Sequence, residues 1–146
     1  MRGEAEPAGR HFCRSPPISE SKIIVSVMPR VIHFEIPVDD PDRAVRFYAG
    51  VFGWRLERWE PFDYWLAYTG EGPGIDGALK PRESPGEGTT NTVEVPNLEE
   101  AMAKVAIEGG EVICEIMTVP GVGRFARCRD PEGNVFGIME MDEAAR

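Results

Sequence analysis

Cysteine is scarce in this 146-residue chain, and its placement excludes a disulfide framework. Only Cys13, Cys114 and Cys128 are present, far apart in sequence and without a CxxC pair. Scattered thiols of odd number are typical of a reducing compartment, where disulfides do not persist. The sequence therefore predicts a cytoplasmic protein, and its length suits one domain that needs neither disulfides nor a structural metal.

The chain also lacks long apolar runs and an excess of basic residues. No stretch approaches the roughly 18 apolar residues that a membrane-spanning helix needs, and residues 1–22 lack the long apolar stretch that is typical of a secretory signal. The formal charge is −9, and because residues 1–29 contribute four basic and three acidic side chains, the remainder carries −10. Nucleic acid and membranes are therefore not expected partners. Such a field would attract cationic ligands modestly, although acidic surfaces commonly serve solubility alone.

Residues 1–22 are rich in Gly, Pro, Ser, Arg and Glu, and their only large apolar side chains are Phe12 and Ile18. This composition predicts a disordered leader, taken as residues 1–29, before a single domain over residues 30–146. One hypothesis is that Met28 is the natural start of the protein. The alternative is that the β-branched residues 23–27 add a strand to a sheet edge or to a partner chain.

Two parts of the chain resemble each other at a constant offset of 57 residues. Such self-similarity predicts a duplicated supersecondary unit. The second copy has Thr90 where the first has His33. The matching pairs are Ile36 and Val93, Val38 and Val95, Asp40 and Asn97, Ala44 and Ala101, Val45 and Met102, Gly53 and Gly110, and Leu56 and Ile113.

The first copy begins with the pattern of a strand that is buried on one side. Residues 31–36 alternate between apolar and polar side chains, apart from Val31 at the start. His33 and Glu35 are then expected to face away from the helix layer, whereas Ile32 faces it. A free sheet face bearing polar side chains is a natural place for a ligand.

A helix over residues 41–52 is predicted by the residues at its ends. Asp40 suits the N-cap, Pro41 the first helical position, and Gly53 a left-handed stop. The helix carries a broad apolar stripe suited to covering a sheet. The aromatic residues expected in this helix–sheet core are Phe34, Phe47, Tyr48 and Phe52.

The remaining elements complete two βαβββ modules. The fold class is predicted as α+β, with two tandem modules forming a curved eight-stranded mixed sheet, the helices on its outer face and a ligand cleft on the other. Residues 81–88, which are rich in Gly and Pro, are expected to form a mobile linker between modules at about 30–80 and 89–142. The further predicted strands cover residues 54–59, 64–68, 75–80, 90–95, 111–118, 125–129 and 135–141, and the second helix covers residues 98–108.

Several motifs resemble those of the glyoxalase/bleomycin-resistance family within the vicinal oxygen chelate superfamily. They are His33-Phe34-Glu35-Ile36-Pro37 leading to Asp40, then Phe47-Tyr48, Phe52-Gly53-Trp54 and Asp130-Pro131-Glu132-Gly133-Asn134. The resemblance covers about residues 30–141 and, together with the repeat, it is specific for the fold. It implies paired βαβββ modules and, in many members, a homodimer.

The resemblance also implies where a metal ion would be held. Metal-dependent members place ligands on the first and fourth strands of each module, and these positions correspond here to His33, Ala78 (or Gly77), Thr90 and Gly137. Of these residues, His33 alone is a strong ligand, whereas catalytic zinc-like sites usually need three. We therefore expect no conventional metal site and no cofactor.

A divalent metal remains the alternative, because Glu35 and Asp76 could approach His33 and rebuild a site. His33 has two further interpretations: a neutral imidazole that hydrogen-bonds a polar neighbour, or a general acid or base near neutral pH. No residue stands in a nucleophile motif, and no phosphate-binding or dinucleotide-binding loop is present.

The cleft is expected to be lined by residues on the free face of the sheet. Tyr64 and Trp65 alternate, so one of them faces the core and the other the cleft, where an exposed ring would suit an aromatic or cationic ligand. Arg124, Arg127 and Arg129 could hold a ligand carboxylate, or could simply form a solvated edge. The predicted ligand-binding residues are His33, Glu35, Trp65, Asp76, Ala78, Thr90, Thr92, Phe125, Gly137 and Met139.

Three hypotheses on function follow from these patterns. The first is a dimeric small-molecule-binding protein with an incomplete metal site, which serves sequestration, resistance or sensing. The second is an enzyme of the same fold, such as a divalent-metal-dependent lyase, isomerase, dioxygenase or thiol transferase. The third is an interaction module whose cleft is filled by side chains. The fold alone does not decide between them.

Overall fold

A computed structural model of the protein describes residues 28–146. The expectations for residues 1–27, including the strand over residues 23–27, fall outside this region. Within it, no helix has both the length and the apolar character that crossing a membrane requires. The elements are β1 (Arg30–Val38), α1 (Pro41–Phe52), β2 (Arg55–Arg58), β3 (Trp65–Tyr68), β4 (Gly77–Pro81), β5 (Thr90–Glu94), α2 (Leu98–Ile107), β6 (Glu111–Val112), β7 (Met117–Val119), β8 (Gly123–Arg129) and β9 (Val135–Met141).

All the strands belong to one mixed sheet, in which the two modules lie side by side. The order is β2-β3-β4-β1-β5-β9-β8-β6, and β7 pairs with β8. The modules meet where β1 and β5 pair antiparallel, while β1 pairs parallel with β4 and β5 pairs parallel with β9. The predicted α+β class with two tandem modules on a curved sheet is confirmed.

The predicted strand over residues 111–118 is divided into β6 and β7, so the sheet has nine strands rather than eight. Both strands pair with β8. Between them, the Cys114 sulfur accepts a hydrogen bond from the Arg127 amide at 3.2 Å. A side chain there occupies the place of a backbone carbonyl in the ladder, which interrupts the regular pairing.

The helix starts follow the predicted capping residues. The side chain of Asp40 accepts a hydrogen bond from the Arg43 amide at 3.1 Å, and that of Asn97 accepts one from the Glu100 amide at 2.9 Å. The first helix ends at Gly53, whose φ of 70° suits a residue without a side chain. Equivalent N-caps 57 residues apart show that the duplication extends to the starts of the helices.

The two helices are buried to different extents. Leu98 at the start of α2 is fully buried in a core cluster, whereas α1 contains no buried residue. The expectation that Phe47 and Phe52 are core residues is wrong, because their exposures are 56% and 59%. Phe47 is one residue from the partly buried Tyr48 and thus about 100° away from it around the helix. The cluster around α2 is formed by Val95, Leu98, Ala126, Cys128 and Ile138.

The linker between the modules is a loop with several internal bonds, and its mobility stays a prediction. Glu87 is its hub: the carboxylate pairs with the ammonium of Lys80, which is only 6% exposed, and accepts from the Glu83 amide at 2.7 Å. Arg82 donates to the Glu87 carbonyl at 2.6 Å. These bonds hold the loop against the sheet at the end of β4.

Candidate functional site

The concave face of the sheet contains a cavity of about 610 Å³, which we call the main cavity. Apolar and aromatic side chains predominate in its lining, and the polar groups are few. Both modules contribute, so the cavity spans the junction of β1 and β5. The lining residues are Ile32, His33, Glu35, Trp59, Tyr64, Leu66, Thr92, Met117, Val119, Val122, Phe125, Arg127, Met139 and Met141.

On β1, strand alternation turns two side chains toward the cavity, and a shift in strand pairing accounts for a third. His33 and Glu35 face the cavity, as the alternation of β1 predicts. Ile32 also lines the cavity, which corrects the expectation that it faces the helix layer. The β1–β5 register shifts between Val31 and His33, and a shift of one residue reverses the face that a side chain occupies.

Tyr64 is the central polar residue of the main cavity. His33 Nε2 and the Tyr64 hydroxyl oxygen are 2.8 Å apart, and the nearby Glu35 carboxylate acts on this hydroxyl through its charge. The hydroxyl donates to Nε2 when that nitrogen carries no proton, whereas a protonated Nε2 donates to the phenolic oxygen in the other tautomer. The three side chains therefore form one polar cluster at the module-one side of the cavity.

Burial sets the protonation of this cluster. Desolvation lowers the pKa of His33 below its usual value of 6.5, and the charges of Glu35 and Asp76 oppose this shift only in part. Desolvation and, after it, the nearby charge of Glu35 raise the pKa of Tyr64 well above its usual value of 10.0. At neutral pH, His33 and Tyr64 are consequently uncharged, and neither offsets the Glu35 charge.

The charges around the main cavity are unequally compensated. Glu35 takes part in no salt bridge with any side chain of residues 28–146. Arg127, which lies three strands away, has its Nη1 at 3.6 Å from a carboxylate oxygen of Glu83. The Glu35 carboxylate is therefore a negative charge that faces a mostly apolar cavity without a cationic partner in this part of the chain.

Five of the ten predicted ligand-binding residues line the main cavity: His33, Glu35, Thr92, Phe125 and Met139. Thr90 instead lines a neighbouring, more polar cavity. Gly137 and Ala78 lie in the sheet between lining residues, and the Phe125 ring is stacked closely over Gly137.

Trp65 and Asp76 do not line the cavity, contrary to expectation. Tyr64 and Leu66 face the cavity, so alternation turns Trp65 to the other face, where its indole nitrogen is buried without a hydrogen-bond partner among the described residues. Asp76 accepts hydrogen bonds from the amide and hydroxyl of Thr69, at 2.8 and 3.2 Å, in the loop before β4. These bonds engage its carboxylate within that loop.

The residues at the four implied metal-ligand positions do not fit a metal ion. Ala78 and Gly137 carry no donor atom, Thr90 lies in the other cavity, and His33 Nε2 is engaged with Tyr64. Across residues 28–146, no group of three or more His, Cys, Asp or Glu side chains could hold an ion. The site rebuilt from His33, Glu35 and Asp76 is thus not formed in this structure.

Sequence reasoning missed several lining residues. Met141 could have been found, because it follows Met139 by two residues on β9 and so shares its face. Met117 and Val119 are brought to the cavity by the short strand β7, whose register was not predictable. Of the two predictions for Arg127, a contact with a ligand carboxylate or a place on a solvated edge, the second is wrong, because β8 is an interior strand between β9 and β6.

Comparisons with known proteins place this architecture in a family. A model of the Glyoxalase/Bleomycin resistance protein/Dioxygenase superfamily matches residues 30–138. The protein CFP32 of Mycobacterium tuberculosis is 31% identical over 124 residues, covering 80% of this chain and 46% of that protein, so this chain spans about half the length of that relative. The lactoylglutathione lyase of Salmonella typhimurium is 29% identical over 130 residues, covering 80% of this chain and 96% of the enzyme.

Solved structures show the same fold. A hypothetical protein from Bacillus halodurans superposes with a TM-score of 0.61 at 22% identity, covering 81% of this chain and 98% of its own. The methylmalonyl-CoA epimerase of Mycobacterium tuberculosis superposes with a TM-score of 0.58 at 19% identity, covering 77% and 87%. The family model matches most of the chain and agrees with its duplicated modules, which leads to one conclusion: this chain belongs to the Glyoxalase/Bleomycin resistance protein/Dioxygenase superfamily.

Proposed function

We propose that the protein binds a small organic cation with an apolar or aromatic body in the main cavity, and that it acts by sequestering this molecule. The observation that carries the proposal is the Glu35 carboxylate, which faces a mostly apolar cavity without a salt-bridge partner among the described residues. A ligand cation would compensate this charge. Its body would bury apolar surface against the side chains of both modules.

The lining supports this choice of ligand charge. Trp59, Tyr64 and Phe125 offer aromatic faces, which attract cations as well as flat apolar rings. Methionine side chains adapt their shape to different ligands, and three of them line the cavity. An anionic ligand would face Glu35 directly and would also compete with Glu83 for Arg127.

The competing hypothesis is a divalent-metal-dependent lyase, dioxygenase or thiol transferase. The similarity to lactoylglutathione lyase and methylmalonyl-CoA epimerase keeps this hypothesis open. It requires an ion at His33, although the other three implied positions supply no strong donor. Our proposal therefore predicts that the protein holds no stoichiometric metal through His33.

A matched set of three naphthalene compounds tests the ligand charge. 2-Naphthylmethylamine, 2-naphthol and 2-naphthoate share one ring system but are cationic, neutral and anionic at pH 7. A charge-assisted hydrogen bond contributes about 1.5–3 kcal/mol, so the amine should bind about 10–100-fold more tightly than the carboxylate. Glu35→Gln should remove most of this preference. Equal affinities in the unchanged protein, or a preference that survives in the variant, would refute the proposal.

Metal content provides the second test. The purified protein and a His33→Ala variant are incubated with zinc, nickel, manganese or ferrous iron, dialysed, and analysed for bound metal. We expect less than a stoichiometric amount in both. Near-stoichiometric metal that is lost in the variant would favour the enzymatic hypothesis and would call for lyase, dioxygenase and thiol-transfer assays.

We further propose that the protein forms a homodimer, which the family resemblance implies for many members, and that the two copies associate through α1. Phe47 and Val51 are 56% and 57% exposed on this helix, whereas the second module has Lys104 and Glu108 at the same positions. The apolar character of this face is thus not required by the fold, and a covering surface explains it. Sedimentation should show a dimer that Phe47→Lys with Val51→Glu converts to a monomer. Replacing the exposed Ile107 on α2 by Lys is the control, and a monomer before any substitution would contradict the proposal.

A further inference from the structure

A second cavity of about 480 Å³ lies beside the main cavity, between the linker loop and the β8–β9 hairpin. Arg127 lines both cavities, so its side chain stands at their common boundary. The linker bonds centred on Glu87 hold one wall of this second cavity in place. Its polar lining includes Ser84, Thr89, Thr90 and Asn134.

The two cavities lie end to end along the same face of the sheet. On β9, Val135 lines the second cavity and Met139 and Met141 line the main cavity, at two-residue steps. On β5, Thr90 lines the second cavity and Thr92 lines the main cavity. Two residues of a strand span about 6.6 Å, so the stretch from Val135 to Met141 is about 20 Å long. One elongated ligand could therefore occupy both cavities.

The chemistry of the second cavity differs from that of the main cavity. The hydroxyl groups of Ser84, Thr89 and Thr90 donate no hydrogen bond to any other described residue, so they are free to bond a ligand. The charged groups are already paired, Glu87 with Lys80 and Glu83 with Arg127.

These pairings decide the charge of the group that fits. An anion that displaced Glu83 from Arg127 would leave that carboxylate with only the ammonium of Lys80, which is 3.8 Å away and already paired with Glu87, in a chain whose formal charge is already −9. A neutral group that both donates and accepts hydrogen bonds would leave the pairs intact. Sugar hydroxyls have this character.

We propose that the protein recognises a two-part ligand: an apolar or aromatic body in the main cavity, and a neutral, hydroxyl-rich group such as a sugar in the second cavity. This inference rests on the proposed function, because the main cavity must first accept the body. Arg127, at the boundary, contacts the junction between the two parts.

The test compares 2-naphthol with 2-naphthyl β-D-glucopyranoside by calorimetry. Two added hydrogen bonds of about 0.7 kcal/mol each correspond to about tenfold tighter binding of the glucoside. The double variant Ser84→Ala with Thr90→Val removes two of the free hydroxyls and should bring the glucoside to within about twofold of 2-naphthol, whose own affinity stays unchanged. Thr118→Val, at an exposed position that lines neither cavity, is the control and should alter neither affinity.

Each outcome separates the two proposals. If 2-naphthol binds but the glucoside binds no more tightly, or if the advantage of the glucoside survives in the double variant, the two-part inference is wrong and the proposed function stands. If neither 2-naphthol nor 2-naphthylmethylamine binds, the proposed function fails, and this inference fails with it.

Discussion

Gly137 lies in the sheet under the ring of Phe125, which lines the main cavity, and adding a single methyl group there should be damaging. An ideal Cβ on this residue would lie 2.3 Å from Cε2 of Phe125, 2.8 Å from its Cζ and 2.9 Å from Oγ1 of Thr92. Carbon atoms in good contact are about 3.5–4.0 Å apart. The Phe125 ring would therefore have to move by about 1 Å or more, and the open direction is the cavity itself.

The expected cost of Gly137→Ala follows from this geometry. Both Gly137 and Phe125 are buried, so the displaced ring loses its packed position, and overpacking of this kind costs about 1–3 kcal/mol. Urea unfolding should show this loss as a lower midpoint without a change in slope. Because the ring moves into the main cavity, the affinity for 2-naphthylmethylamine should also fall.

Gly50 provides a matched control within the same chain. It lies inside α1, and an added Cβ would meet nothing within 4 Å. Gly50→Ala should therefore raise the free energy of unfolding by about 0.5–1 kcal/mol, through helix propensity alone, without a change in ligand affinity. If Gly137→Ala were as stable as the unchanged protein and bound the amine equally well, the packing of Phe125 over Gly137 would be refuted.

Two further predictions concern pH and the core. Because burial lowers the pKa of His33 below 6.5, the unfolded chain binds more protons than the folded one between that lowered pKa and 6.5, so stability should fall as the pH is lowered through this window. His33→Gln should flatten that part of a plot of unfolding free energy against pH. Equal slopes in the variant and the unchanged protein would argue against a buried neutral imidazole. Leu98 is fully buried where α2 begins, so Leu98→Ala should lower the free energy of unfolding by about 2–5 kcal/mol. A loss under 1 kcal/mol in urea titrations would mean that the cluster around α2 is not the main core.

The features predicted from the sequence are those that local patterns determine. Asp40 and Asn97 cap their helices because each is followed by a helical pattern, and His33 and Glu35 face the cavity because alternation along a strand requires it. The constant offset between the two copies determined the tandem modules. None of these predictions depends on the order of the strands in the sheet.

The features that escaped prediction depend on contacts between distant parts of the chain. The register shift in β1 turns Ile32 into the cavity, and the bond from the Arg127 amide to Cys114 divides one predicted strand into two. Alternation predicts that Tyr64 and Trp65 lie on opposite faces of the sheet, but it does not predict which of them faces the cleft. The compensation of Arg127 by Glu83, which leaves Glu35 as the unpaired charge, depends on how the linker folds.

The position of the bound cation tests the central claim most directly. Carbon-13 labels on the methionine methyl groups report on the main cavity through Met117, Met139 and Met141, and on the α2 core through Met102. Titration with 2-naphthylmethylamine should move the Met139 signal through the ring current of the naphthalene and leave the Met102 signal in place. In Glu35→Gln, the shift of the Met139 signal should be much smaller at equal ligand concentration. An unmoved Met139 signal at saturating amine, or an equal response in Glu35→Gln, would contradict the account of a cation held in this cavity by Glu35.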